Sequence, residues 1–397
     1  MDQTGRQISN HTRRSVVAGG LGAAIAGCSV PQVGGRAAVS GPGTIDQFGM
    51  LKPLDLNTSN LAKITVCLRP FRPAGPRLET ERVGEKSIVH NYGHGGSGWS
   101  LAWGYAEATR DIVLALRPRN VSVVGAGAIG LTSAIAIAET GARVTIYARE
   151  MPMDSASAKA TGVWSPASRI GMQGVVPSSF AAQWEVFARR SHARHLQYVG
   201  RAGSPVEYTP RFYIRTGAPE PTLADAPEGS PNFMRLGRNL RGLEPPWTER
   251  DAHPFPADFG VRGGMVMTFN IAEYTRQLVE DFRAMGGRIV QAEFGTQEEL
   301  TQVPGNVIVN CSGIGARSLT GDDTLTPVRG QIAWMPAQSD RLYGIYHRGV
   351  MALSRRDGLL IQETGGSDFY GYRDDDQSPS QEEFLAAQAK VAPMFAW

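Results

Sequence analysis

The feature that most constrains this fold is a strand–turn–helix signature beginning at residue 121. Val121-Ser122-Val123-Val124 is a short apolar run suited to a buried strand, and Gly125-Ala126-Gly127-Ala128-Ile129-Gly130 follows it at once. From Ile129 to Glu139 the chain is rich in Ala and reads as a helix, and Val144-Thr145-Ile146-Tyr147 as the next strand. Gly125 and Gly127 allow a tight turn and the close approach of a pyrophosphate, while Gly130 lets helix and strand pack closely. Ala128 and Ile129 open the helix, whose unpaired N–H groups and dipole favour an anion. An acidic residue about 20 positions further on would hold a ribose. Glu150 stands there, beside Arg149, which suits an extra phosphate instead. These residues alone leave FAD, NAD and NADP open.

The rest of the composition bounds the class. At 397 residues two domains are expected. With 19% charged and 42% hydrophobic residues the chain is not of the disordered, highly charged kind. Gly and Pro number 47 and 25, which implies many turns and close backbone contacts. Three cysteines form no disulfide framework and no CxxC pair. A formal charge of +3 is too small for a nucleic-acid surface, so no nucleic-acid partner is expected.

Thr12-Arg13-Arg14-Ser15-Val16-Val17 opens an apolar stretch to Ala26 that is too short to span a bilayer. A paired arginine before such a run reads as a twin-arginine export signal. Ile25-Ala26-Gly27-Cys28 resembles a lipoprotein lipobox, which implies a lipid anchor at Cys28 and a periplasmic or membrane-anchored product. Residues 29–60, rich in Gly, Pro and Ser, read as a linker.

Further along, Ile271, Tyr274, Leu278, Phe282 and Met285 form the apolar stripe of an amphipathic helix, ended by Gly286-Gly287. Arg288-Ile289-Val290 and Val307-Ile308-Val309 read as strands, the second running into Asn310-Cys311-Ser312-Gly313. Phe180, Trp184, Phe187 and Ser191 line another helix, and its His192 and His195 are expected in solvent.

The most informative stretch is His90-Asn91-Tyr92-Gly93-His94-Gly95-Gly96-Ser97-Gly98. Four glycines in six residues suit neither strand nor helix interior, but let bare backbone lie against a flat ring. Trp99 and Ser100 then start a helix running to Leu116, so the loop delivers a helix N-terminus. A metal pair from His90 and His94 would need helical backbone between them, which the glycines oppose; no metal is expected. Upstream, Leu68-Arg69-Pro70-Phe71-Arg72-Pro73 is stiffened by prolines that force extended backbone before them. Such a mount suits a guanidinium that captures a carboxylate.

Together His90–Gly98, Arg69-Pro70-Phe71-Arg72-Pro73, the glycine turn at 125–130, Gly162-Val163-Trp164 and Asn310–Gly313 resemble the D-amino acid oxidase family. The likeness runs from about residue 62 to the end. It implies an α/β fold with a Rossmann-like FAD-binding domain interleaved with a mixed-sheet substrate domain. The first would span 74–170 and 271–320, the second 61–73, 171–270 and 321–397, with the export signal at 1–28. It also implies FAD as cofactor and oxidation of an amino acid by oxygen, giving an imino acid and hydrogen peroxide.

Residue by residue, Arg69 resembles the residue that pins the substrate carboxylate, and Gly96 the glycine whose carbonyl receives the amine. Tyr346 resembles a lid tyrosine. Gly125, Gly127, Ala128, Ile129 and Gly130 match the pyrophosphate turn, with Arg149 or Glu150 at the ribose. Ser155, Ser157, Gly162, Val163 and the loop Gly95, Gly96, Ser97, Gly98, Trp99 and Ser100 match stretches that line the flavin. Phe294 and Ser312 fall where the family touches the nucleotide and ring. Two departures stand out: Arg149 replaces an aspartate, and Met351 stands where a second lid tyrosine is expected. His347 and Arg348 leave room for an acidic substrate such as D-aspartate. The order of segments also differs, because the glycine–histidine loop that closes the family's chain here precedes the GxGxxG turn. That resembles a circular permutation, and it implies that the C-terminus lies beside the strand around Ile64–Cys67.

Overall fold

In the computed structural model, which describes residues 51–215, 217, 230–365 and 369–397, the glycine turn sits in a six-stranded sheet. The export signal, Cys28 and the linker up to residue 50 lie outside the described residues. The strand order is β2 (Arg77–Val83), β3 (Lys86–Tyr92), β10 (Val307–Asn310), β4 (Asn120–Val124), β5 (Arg143–Ala148) and β9 (Arg288–Gln291). All are parallel except β2, which forms a hairpin with β3. Near-continuous apolar runs such as Val307-Ile308-Val309 suit strands covered on both faces.

Helices α1 (Gly98–Ala115), α2 (Ala128–Ala138), α3 (Phe180–Leu196) and α4 (Ile271–Ala284) share one core with these strands. Helices α1 and α3 approach closely because residue 104 is glycine: a Cβ there would stand 2.1 Å from the Phe187 carbonyl oxygen. The Gly104 N–H donates to Ser191 Oγ at 2.7 Å. The same close packing corrects the expectation for the two histidines of α3. Both His192 and His195 are buried, because the helix face that meets α1 and α4 is wider than the apolar stripe alone. Short helices α5 (Gln297–Thr301) and α6 (Ala316–Thr320) flank β10 in the chain.

The second sheet has eight strands. Their order is β1 (Lys63–Phe71), β11 (Thr326–Met335), β14 (Gly358–Glu363), β13 (Val350–Arg355), β12 (Gly344–His347), β6 (Val206–Arg215), β8 (Gly260–Phe269) and β7 (Thr248–Glu249). Only β12 and β6 pair parallel. Side chains alternate between faces. Phe212, Ile214, Ile345, Ala352 and Ile361 pack on one face against α7 (Gln381–Val391), which Ser380 caps by accepting the Glu383 N–H. Leu54 and Leu56 join this core, so residues 51–60 are packed rather than a tether. Gln388 Nε2 donates to the Leu56 carbonyl at 3.0 Å, and Met394 and Phe395 complete the cluster. The C-terminal residues and the segment leading into β1 are therefore neighbours.

Candidate functional site

The carboxyl ends of β3, β10, β4 and β5 open on one side of the parallel sheet. Strand order reverses there, since β4 is followed by β5 on one flank while β10 joins on the other. That reversal is where doubly wound sheets bind ligands. Gly125 has φ +105°, and a Cβ on it would stand 2.4 Å from the Cys311 carbonyl oxygen. A Cβ on Gly130 would stand 1.9 Å from the Gly125 carbonyl oxygen. Both glycines are thus required by backbone approach, as their spacing implies. Gly127 caps α2 with no side-chain bond to the first turn, while Ala128 N–H donates to Ser157 Oγ at 3.0 Å. The crevice at the α2 N-terminus suits a pyrophosphate.

At the end of β5, Arg149 pairs with Glu150 at 3.0 Å and with Glu293 at 3.6 Å. A guanidinium already held by two carboxylates is a poor anchor for an extra phosphate. Phe294 lies edge-on to Tyr147, and Ser312 closes β10 in a turn on the Asn310 side chain.

The glycine–histidine loop reaches the same end of the sheet, between β3 and α1. Its glycines serve a purpose the sequence did not reveal. A Cβ on Gly95 would stand 1.9 Å from the Arg169 carbonyl oxygen, and one on Gly96 2.4 Å from Ser168 Oγ. Protein atoms therefore fill the space beside both, backbone of Arg169 at Gly95 and the Ser168 side chain at Gly96. Gly98, with nothing within 4 Å, is the one facing open space. Gly95 N–H bonds Pro70, Gly96 N–H bonds Ser168, and Ser97 Oγ bonds both Ser165 and Ser168, all through carbonyls. His94 is buried edge-on to Tyr105, and burial pushes its pKa down to about 3. His90 contacts Glu81 at 3.0 Å. The two rings thus pack separately, and no cluster of three metal-ligating side chains occurs among the described residues.

Arg69 projects from β1 on the face of the eight-stranded sheet opposite α7. The register carries that face across the sheet: Arg69 pairs Val328, Trp334 pairs Leu360, Leu360 pairs Leu353, Leu353 pairs Gly344, and Gly344 pairs Arg211. The Arg69 guanidinium lies over Gly330, where a Cβ would come within 2.2 Å. It donates to the Arg329 carbonyl at 2.9 Å, is half-buried, and forms no ion pair among the described residues. Tyr346 shares this face, stacked on Tyr213 at 5.3 Å with its hydroxyl 3.1 Å from Thr364 Oγ1. Met351 lies directly opposite Tyr346 in the register. His347 points the other way, bonded to the Ile214 carbonyl and packed on Phe259. A role for it beside Tyr346 is therefore corrected by strand alternation.

Three residues on this face escaped the sequence reading. Arg355 is buried, pairs with Asp357 at 2.8 Å, and donates to the Ala160 and Thr161 carbonyls. Thr161 Oγ1 in turn donates to Gln362 at 2.6 Å, and Val163 bridges Thr268. This straps the Thr161–Val163 segment to the second sheet. Arg211 is fully buried, with Nη2 on Thr268 Oγ1 while Nε and Nη1 have no partner; burial pushes its pKa down to about 9. Tyr213 supports Tyr346. The only sequence signal for Arg211 is a charged residue directly before the apolar run Phe212-Tyr213-Ile214.

The sequence pattern of the FAD dependent oxidoreductase family (DAO) matches residues 120–396. The chain belongs to that family. Among relatives, the D-amino-acid oxidase of Dictyostelium discoideum is 26% identical over 280 residues, 70% of this chain and 74% of that protein. The D-amino-acid oxidase of Rubrobacter xylanophilus (strain DSM 9941 / JCM 11954 / NBRC 16129 / PRD-1) is 35% identical over 214 residues, 53% of this chain and 57% of that one. That match spans little more than half of the relative's length. The human (Homo sapiens) D-aspartate oxidase is 27% identical over 223 residues, 55% of this chain and 60% of its own. A crystal structure of glycine oxidase from Geobacillus kaustophilus overlaps with TM-score 0.48 at 14% identity, covering 70% of this chain and 78% of that chain, and carries no further weight. As an FAD dependent oxidoreductase the chain takes FAD, and the crevice fits it. Gly125 and Gly130 leave a cradle no side chain could share, and Gly127 at the N-cap of α2 brings no side chain of its own to the first turn.

Proposed function

We propose that this chain oxidises a D-amino acid, producing an imino acid and hydrogen peroxide, with the imino acid hydrolysing to a 2-oxo acid and ammonia. The observation that carries the reading is Arg69: a half-buried guanidinium with no carboxylate partner among the described residues, on the face that bears Tyr346. Proteins seldom leave such a charge unmatched unless a ligand supplies the counter-ion. FAD, when bound, supplies the two-electron acceptor.

The chain's own residues bind and orient. Gly125, Gly127, Ala128, Ile129 and Gly130 would hold the pyrophosphate, Glu150 the ribose, and Phe294 and Ser312 the nucleotide edge. Ser155, Ser157, Gly162, Val163 and the loop from Gly95 to Ser100 would line the flavin. Arg69 would fix the substrate carboxylate with Tyr346 beside it, and the Gly96 carbonyl would receive the amine. Orientation of the Cα–H bond supplies most of the protein's share. Anaerobic addition of D- and L-amino acids to the yellow protein tests this. Bleaching by D-isomers, with peroxide on readmitting air, is the expected result; no bleaching by any amino acid would refute it.

We also read the chain as a circular permutant exported by its N-terminal signal. The family pattern begins at Asn120, where β4 begins, yet upstream of it β3 is an internal strand of the parallel sheet, α1 lies in its core, and β1 forms an edge of the other sheet. The contact between Leu56 and Gln388 supports a closed ring of elements, cheap to reopen elsewhere because the joint is short. A gene reordered to start at Asn120, with residue 397 linked to residue 51, should fold and bind FAD. Cell fractionation with and without Cys28→Ala tests the anchor.

A further inference from the structure

His195, expected in solvent, instead sits fully buried at the meeting of α1, α3 and α4. Its Nδ1 lies 2.8 Å from Tyr274 Oη, and its Nε2 lies 3.1 Å from the Trp99 carbonyl oxygen. Trp103 Nε1 is 2.8 Å from the same tyrosine oxygen. Elementary donor chemistry allows one assignment. An indole nitrogen only donates and a carbonyl only accepts. The Trp99 carbonyl therefore demands a proton on Nε2. Burial keeps the ring neutral, pushing its pKa down to about 3, so Nδ1 must accept. Tyr274 then donates to Nδ1 while accepting from Trp103. The direction of every bond is fixed: Trp103 to Tyr274, Tyr274 to His195, His195 to Trp99.

The series does not end at Trp99. The Trp99 indole N–H donates to the Ser157 carbonyl at 2.9 Å, and Ser157 Oγ accepts the Ala128 N–H at the α2 N-terminus. One connected set of bonds thus joins the first turn of α1, the Ser155–Ser157 segment and the glycine turn. Resting on the FAD site described above, we infer that His195 is a positioning residue, holding Trp99 and through it Ser157 and Ala128 where the cofactor docks. Removing the Nε2–H would take away the bond that ties the Trp99 carbonyl, in the first turn of α1, to α3, and would free the start of α1 to shift.

Two measurements on the full-length protein test this, and neither depends on which amino acid is oxidised. First, long-range proton–nitrogen spectra of histidine-labelled protein should show His195 as the neutral Nε2–H tautomer; the Nδ1–H form or a cation overturns the assignment. Second, the FAD dissociation constant of His195→Leu should rise at least tenfold. His195→Gln, whose amide can accept from Tyr274 and donate to Trp99, should return to within threefold of wild type. Unchanged FAD affinity in the leucine variant, or equal loosening in both variants, overturns the positioning role. Should His195→Leu not fold, Tyr274→Phe serves, with a loss of His195 tautomer purity and looser FAD expected.

Discussion

The candidate binding surfaces on the two sheets are built in different ways. On the parallel sheet the main chain forms the contact surface: glycines whose missing Cβ leaves room, and amides at a helix N-terminus. On the eight-stranded sheet side chains form it, and which ones do so depends on register and alternation across several strands. A main-chain surface fails when volume is added, and a side-chain surface when a functional group is removed.

Gly130→Val probes the first kind and should give the largest effect. Its Cβ would stand 1.9 Å from the Gly125 carbonyl, and that carbonyl belongs to the turn itself, so neither partner can step aside. We expect colourless protein that cannot be reloaded with FAD. A yellow variant with normal flavin content would break the distinction between the two surfaces.

Arg69→Ala probes the second kind. Removing one partner of a part-buried ion pair costs about 3 kcal/mol, a rise in KM of roughly 100-fold. Flavin content should not change, because Arg69 contacts only β11 carbonyls in the absence of substrate. A variant that loses flavin would show that the roof also holds the cofactor.

The halves should also respond oppositely to pH. His94 and His195 have folded pKa values near 3, well below the usual 6.5. Between those values the unfolded chain binds more protons, so stability falls as the pH drops from about 6.5 towards 3. Glu244, whose carboxyl burial pushes up to about 7, works the other way. There the folded chain holds the extra proton, and stability falls as pH rises from about 4.5 through 7. Each pH unit is worth up to about 1.4 kcal/mol per group. Melting temperatures of His94→Gln and Glu244→Gln against pH should flatten the acid and neutral limbs respectively. Flattening of the same limb by both would remove the contrast.

This division also decides what was legible in the sequence. The glycine turn, β4, α2 and β5 could be read directly because period, turn residues and strand lie within about 30 consecutive positions. Arg69 was visible through its prolines. Arg211 and Tyr213 were not, since nothing local says that they share a face with Tyr346; that follows from pairings 130 or more residues apart, such as Tyr346 with Tyr213, whereas Arg355 lies on the adjacent hairpin strand β13 and was passed over. The histidines of α3 misled for a related reason. His195 falls on a helical face that looks polar until Tyr274 of α4 and the Trp99 carbonyl supply its partners. The glycines of the loop were read as making room for a flat ring, but the groups closest to Gly95 and Gly96 are the Arg169 backbone and the Ser168 side chain.

The smallest effect comes from restoring a group the roof lacks. Met351 is half-buried, pairs with Tyr346 across β12 and β13, and packs near Val163, Ile332 and Leu360. Met351→Tyr adds a hydroxyl on the Arg69 face without altering the strand pairing. One bond to a charged carboxylate is worth about 1.5 kcal/mol, so KM should fall by roughly tenfold at most, with kcat nearly unchanged. The ring is bulkier than the thioether, which sets a packing cost of about 1 kcal/mol against that gain and leaves a net change of a few-fold. A gain confined to KM would mark the position as a carboxylate contact. An equal change in kcat would place it against the reacting carbon, and a higher KM would mean that the added ring obstructs the substrate.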